Sequence, residues 1–227
     1  MQPLKILFAF LPTTAAFVIT YISEGEKGTR KLWGKTFLKK NRIKYYGIGL
    51  LGILLVGWLS MVIRFTYDEH WPLSSDFPDL SNSLVLAPFL LLFPGFTEEF
   101  GWRGFLQEKV QVRRGVFLAS LITGVIWGGW HSMDFLMGNY PADTFTVLVF
   151  LAYIIATSIV IGNIYKWSGG SIFVAILAHF SANMVNSFLP IWNEEAGMTT
   201  PLIFVGLLWL LSVILLAIEL FQKRRTS

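Results

Sequence analysis

Cysteine is absent from this chain, which excludes disulfides and thiolate metal sites. Charge is scarce as well. Asp, Glu, Lys and Arg make up 14% of the 227 residues, against about 25% in an ordinary soluble domain. No internal repeat, low-complexity tract or long polar stretch is present, so there is no repeat array and little chain left over for a separate soluble domain. Apolar residues fill the space. They reach 54%, with twenty Phe and nine Trp, and the mean hydropathy is +0.60. That composition belongs to a polytopic membrane protein.

A spanning helix needs about 20 mostly apolar residues. The chain offers such segments at 4–22, 45–65, 83–108, 116–136, 146–165, 171–190 and 201–221. The expected fold is therefore all-α, a single integral-membrane domain over 1–227 with about seven transmembrane helices. No small-residue cleavage site follows the first apolar run, so Leu4–Ile22 reads as a retained span.

The pI near 9.3 would suit nucleic acid, but the basic residues are distributed otherwise. They gather beside the apolar segments: eight between residues 23 and 44, then Lys109, Arg113 and Arg114, then Lys166, then Lys223–Arg225. With seven crossings all of these fall on one side, leaving only Lys5, Arg64 and Arg103 elsewhere. The positive-inside rule then gives N-out, C-in, with membrane lipid and not nucleic acid as the partner. The basic stretch 23–44 has two readings: a solvated loop that fixes orientation, or a short interfacial helix using Leu32, Trp33, Phe37 and Leu38.

Against this background Glu98, Glu99 and Arg103 stand out, directly after Ser83–Phe93. A charge at the centre of a spanning helix costs roughly 2.5–3.5 kcal/mol on insertion scales, so such residues are partnered, face a wet cavity, or both. Pro88 and Pro94-Gly95 interrupt the segment, predicting a kink or restart near Phe96. Glu99 and Arg103 are four apart with Glu first, the favourable order for an ion pair. Glu98 points about 100° away and is left to face a cavity. The competing reading is a charge cluster at the membrane surface with Arg103 snorkelling.

Two further pairs share a helix face by the same spacing, Trp127 with His131 and His179 with Asn183. Each has a structural alternative: a satisfied buried histidine, or a polar clamp between helices. Gly124, Gly128 and Gly129 have theirs as close-approach positions. A carboxylate, two histidines and an amide on three apolar segments nevertheless supply what hydrolysis requires: a base, an orienting group and oxyanion donors. By helical rise, His131 lies about 24 Å along its segment and His179 about 12 Å along its own, so the two do not match in depth.

The order Glu98-Glu99-x-x-x-Arg103, aromatic-x-x-x-His131, His179-x-x-x-Asn183, together with Trp102-Arg103-Gly104, resembles the three-motif signature of the CPBP (Abi) family. That family comprises CAAX prenyl endopeptidases and bacteriocin-processing or immunity proteins. The likeness covers about 84–187, with Trp127 standing where eukaryotic CAAX endopeptidases have Phe. It implies an intramembrane endopeptidase acting on a membrane-associated protein or peptide, from a cavity facing the cytoplasm of the cell membrane. Glu98 and His131 would activate water, His179 and Asn183 would form the oxyanion hole, and Glu99, Arg103 and Trp127 would support the site. No cofactor is implied. Zinc is the alternative, with Glu98, His131 and His179 as ligands, although no His-Glu-x-x-His pair is present. Two other functions stay open: a non-proteolytic partner conferring bacteriocin immunity or regulation, and a proton-coupled transporter.

Overall fold

The computed structural model describes residues 8–37, 42–68, 93–136, 143–192 and 197–226, and the regular structure among them is helical throughout. In chain order the helices are α1 (Leu11–Trp33), α2 (Lys44–Asp68), α3 (93–114, π-helical over Phe100–Gln107), α4 (Val116–Leu136), α5 (Thr144–Trp167), α6 (Ile172–Phe188) and α7 (Thr199–Thr226). Four stretches are long and apolar enough to cross a membrane: Lys44–Thr66, Val116–Met133, Thr144–Trp167 and Thr199–Arg225. The chain is an all-α bundle of the integral-membrane kind.

The other three expected spans differ in detail. α6 is apolar but only 17 residues long, roughly 25 Å at the helical rise. α1 does not stop before the basic stretch. It continues to Trp33 through a kink at Gly25, where φ is 66°. Glu26 and Arg30, paired at 2.6 Å, bridge one turn of this extension, and Leu32 anchors it by burial. The supposed loop is thus helical as far as residue 33, and Leu38 lies outside the described residues. In α3 the Pro88 end is likewise outside them. Pro94 sits in the first described turn of α3. The far end runs beyond residue 108 to Arg114 and stops at Gly115, whose φ of 83° excludes other L-residues and whose Cβ would meet Glu219 Oε1 at 2.2 Å.

α5 is the central helix. Its residues from Tyr153 to Tyr165 are almost all buried, which is why it is apolar on every side. α4 approaches it at Gly124, where an added Cβ would lie 2.9 Å from the Ile155 Cα. Gly128 packs on Leu151, whereas Gly129 faces open space, so only the first two act as close-approach positions.

The basic segments meet at one end of the bundle. Lys109 reaches Glu24 (2.7 Å), Lys35 reaches Glu108 (2.5 Å), Arg42 bonds the Trp167 carbonyl (2.5 Å), and Glu219 accepts from the Phe117 N–H (2.8 Å). At this end α6 begins beneath cover. Ser171 is buried and bonds the Thr36 carbonyl, and the Ile172 and Phe173 N–H groups donate to the carbonyls of Lys35 and Thr36 at 2.8 and 2.9 Å. Those carbonyls satisfy first-turn donors that no helix can satisfy internally.

Candidate active site

The π-helical wind of α3 arranges the charged run. Its i→i+5 bonding is rare and concentrates at functional sites. Here the residues four apart, Glu98 with Trp102 and Glu99 with Arg103, are in direct contact. α1 packs against this segment so closely that a Cβ on Gly101 would lie 2.5 Å from the Pro12 carbonyl. Thr97 bonds back to the carbonyls of Phe93 and Pro94, leaving the two carboxylates to the interior.

Glu99 and Arg103 are both fully buried and paired at 3.0 Å. The surface-cluster alternative is therefore wrong, because Arg103 reaches no solvent. Its guanidinium also donates to the Ser158 hydroxyl on α5 (3.3 Å) and lies over the Trp127 ring (4.9 Å). Ser158 in turn donates to the Ser120 carbonyl on α4 (2.9 Å). Burying two charges is costly unless geometry and extra hydrogen bonds compensate. These contacts from α4 and α5 offset part of that cost, while Glu99 Oε2 and Arg103 Nε stay buried without a hydrogen-bond partner among the described residues.

The Glu99 carboxylate has a second partner that spacing did not reveal. His179 Nδ1 lies 2.7 Å from Glu99 Oε1. Opposite an ionised carboxylate that nitrogen carries the proton, so the neutral ring has its lone pair on Nε2. Nε2 can then donate to an oxygen only when the ring is doubly protonated.

Glu98 is also buried, at 4% exposure. Its Oε2 accepts from two indoles, Trp127 Nε1 at 2.7 Å and Trp102 Nε1 at 3.0 Å. These hydrogen bonds fix the carboxylate and occupy one oxygen. Trp127 therefore affects the chemistry of Glu98 as well as pocket shape. Trp102 was readable as a motif residue, but its role as a donor depends on the fold.

Glu98, His131, His179 and Asn183 line one cavity of about 330 Å³, together with Trp127, Tyr153 and Asn186. The apparent mismatch in depth disappears because α6 starts beneath cover rather than at an exposed end. Aromatic rings wall the site: His131 contacts Trp127, Trp130 and Phe150 edge-on or tilted, and His179 meets Trp127 at 5.1 Å. Two carboxylates and one guanidinium, Glu98, Glu99 and Arg103, share this buried interior.

The zinc alternative would draw on Glu98, His131 and His179. Among the described residues no group of three His, Asp or Glu is arranged to hold a metal ion. His179 Nδ1 is bound to Glu99 and Glu98 Oε2 to two indoles, which leaves His179 Nε2 and Glu98 Oε1 as the atoms of these two residues that could meet a ligand.

Residues 80–185 match the family described as type II CAAX prenyl endopeptidase Rce1-like. The chain is 30% identical to CAAX prenyl protease 2 of Methanococcus maripaludis over 77% of its own length and 62% of that protein's. It is also 30% identical to lysostaphin resistance protein A of Staphylococcus haemolyticus, and 26% identical to that of Staphylococcus aureus. It spans 31% of the length of each of these two staphylococcal relatives.

Proposed function

We propose that the chain, whose residues 80–185 match the family described as type II CAAX prenyl endopeptidase Rce1-like, is an intramembrane endopeptidase. One observation carries the reading. Four polar residues from three helices, Glu98, His131, His179 and Asn183, converge on a single cavity inside an apolar bundle.

In the proposed reaction Glu98, through the oxygen not held by the indoles, takes a proton from a water that His131 helps to bind. The water oxygen attacks the scissile carbonyl carbon. The resulting oxyanion is stabilised by the Asn183 amide N–H and by Nε2 of doubly protonated His179, preorganised donors in a water-poor site. Collapse breaks the C–N bond, and Glu98 returns the proton to the leaving amine. Glu99 acts through His179, fixing its ring by the contact at Nδ1. Arg103 and Ser158 hold Glu99 in place. Trp127 and Trp102 hold Glu98.

The substrate class is a membrane-associated protein or peptide, either a CAAX-type C-terminus or a peptide precursor of the bacteriocin kind. The working unit is the single domain with its catalytic core at about 84–187. It would reside in the cell membrane with the basic end of the bundle, and access to the cavity, on the cytoplasmic side. No cofactor enters the proposed reaction.

The test is cleavage of membrane-tethered peptides, farnesylated and unfarnesylated, by the purified chain in proteoliposomes. Glu98→Ala and His131→Ala should each abolish cleavage without loss of folded protein. Full cleavage by either variant would sink the assignment. The resistance names of the staphylococcal relatives favour a second reading, a non-proteolytic partner that binds a peptide in the same cavity. A Glu98→Ala variant that keeps the cellular phenotype would select that reading.

A further inference from the structure

A second and larger cavity, about 560 Å³, lies away from the proposed catalytic residues, between the helical extension of α1 and the last turns of α3. It opens at the basic end of the bundle. Its two carboxylates are already occupied. Glu24 is paired with Lys109 at 2.7 Å, and that hydrogen bond and charge hold its carboxyl below the ordinary range. Glu108 is paired with Lys35 at 2.5 Å and also accepts from the Tyr165 hydroxyl at 2.7 Å. Two cations on the wall, Lys31 and Arg113, are left in excess and make no ion pair among the described residues. Beside them the wall is apolar, formed by Leu32, Phe105 and Val112, with Val112 84% exposed.

We propose that this cavity is a binding site for the phosphate headgroup of an anionic phospholipid, with Lys31 and Arg113 on the phosphate and the acyl chains along Leu32, Phe105 and Val112. Three observations support a lipid over solvent. The excess charge is positive, it sits at the membrane end where basic residues collect, and the same cavity presents apolar surface beside the charge. Basic pockets between spanning helices on the positive face recognise anionic headgroups in this way. The site depends on the membrane reading and is independent of whether the distant cavity cleaves peptides.

The test uses the full chain in detergent micelles, titrated with dioleoyl phosphatidylglycerol. Dioleoyl phosphatidylcholine is the zwitterionic arm and inorganic phosphate the soluble arm. Native mass spectrometry reads retained lipid, and thermal unfolding reads stabilisation. Phosphatidylglycerol should be retained well above phosphatidylcholine. Each cation near an anionic surface contributes a factor of about five, so Lys31→Gln with Arg113→Gln should weaken retention roughly 30-fold. The charge-keeping pair Lys31→Arg with Arg113→Lys should retain the lipid. If the glutamine pair does not fold, Arg113→Gln alone carries the test, at about fivefold. Equal retention by the glutamine variant, or equal retention of the two lipids, would overturn the proposal. Inorganic phosphate that stabilises the chain as strongly as phosphatidylglycerol, and displaces it, would also overturn it, by assigning the site to a soluble phosphate.

Discussion

Replacing Trp127 by Phe isolates what an indole N–H does for the proposed base. The substitution removes the 2.7 Å donor to Glu98 Oε2 and leaves Trp102, at 3.0 Å, as that oxygen's donor. An aromatic ring is kept between Arg103 and His179, which the Trp127 ring contacts at 4.9 and 5.1 Å. A hydrogen bond to a charged group contributes about 1.5–3 kcal/mol. If that bond orients the carboxylate in the transition state, its loss should lower kcat/KM by roughly 10- to 150-fold. Phe is smaller than Trp, so some stability is lost with the buried volume, on the order of 1–3 kcal/mol. The assay is peptide cleavage in proteoliposomes, read beside thermal unfolding, which separates the two effects. Trp102→Phe should act in the same direction. Because both indoles hold one oxygen, the double variant should deviate from additivity. Activity within twofold of wild type for Trp127→Phe, in folded protein, would refute the assignment of Glu98 as a base held by indoles.

Other outcomes follow from the same contacts. Glu99→Ala leaves Arg103 buried without its carboxylate and releases His179 Nδ1; removing one partner of a buried pair costs about 3–5 kcal/mol, so thermal unfolding should fall sharply and cleavage should be lost with it. Gly124→Ala drives a Cβ to 2.9 Å from the Ile155 backbone. It should destabilise by about 1–3 kcal/mol through overpacking, measured by the same melt. Asp143 caps α5 and its carboxyl is held below the ordinary range by hydrogen bonds to Thr146. A depressed folded value means the cap's contribution is present above the unfolded value and is lost as pH falls through the folded one. Hydrogen-exchange protection in the first turn of α5, taken relative to the intrinsic rate at each pH, should therefore fall in acid, and Asp143→Asn should abolish that dependence. Finally, chelator treatment should leave cleavage unchanged; activity lost to chelator and restored by zinc would replace the glutamate-base mechanism with a metal one.

Much of this was readable from the sequence because a bilayer constrains residues strongly. Apolar length gave the helices α2, α4, α5 and α7 to within a few residues. The i, i+4 spacing identified Glu99–Arg103 as a pair, and the structure has it at 3.0 Å. The boundaries that shifted are those where local sequence competes with packing. α1 crosses its charged run because Leu32 is buried and Glu26–Arg30 bridges a turn, features that hydropathy does not weigh. α3 runs on to Gly115 because the basic residues after Glu108 are good helix formers ended by a positive-φ glycine. The contacts between helices were beyond reach. His179 with Glu99 and Trp127 with Glu98 join residues 80 and 29 positions apart, and no local period encodes such a meeting. A regular α-helix was also the natural expectation for Phe100–Gln107, since no sequence rule marks a π-helical stretch.

The central claim is that Glu98 is the base on a hydrolytic water. Glu98→Gln tests it most directly, because the amide keeps an oxygen for the two indoles and the size of the side chain while removing its basicity. In proteoliposomes with a membrane-tethered peptide, the variant should fold and melt close to wild type yet show no turnover. Cleavage at the wild-type rate by Glu98→Gln would contradict the mechanism.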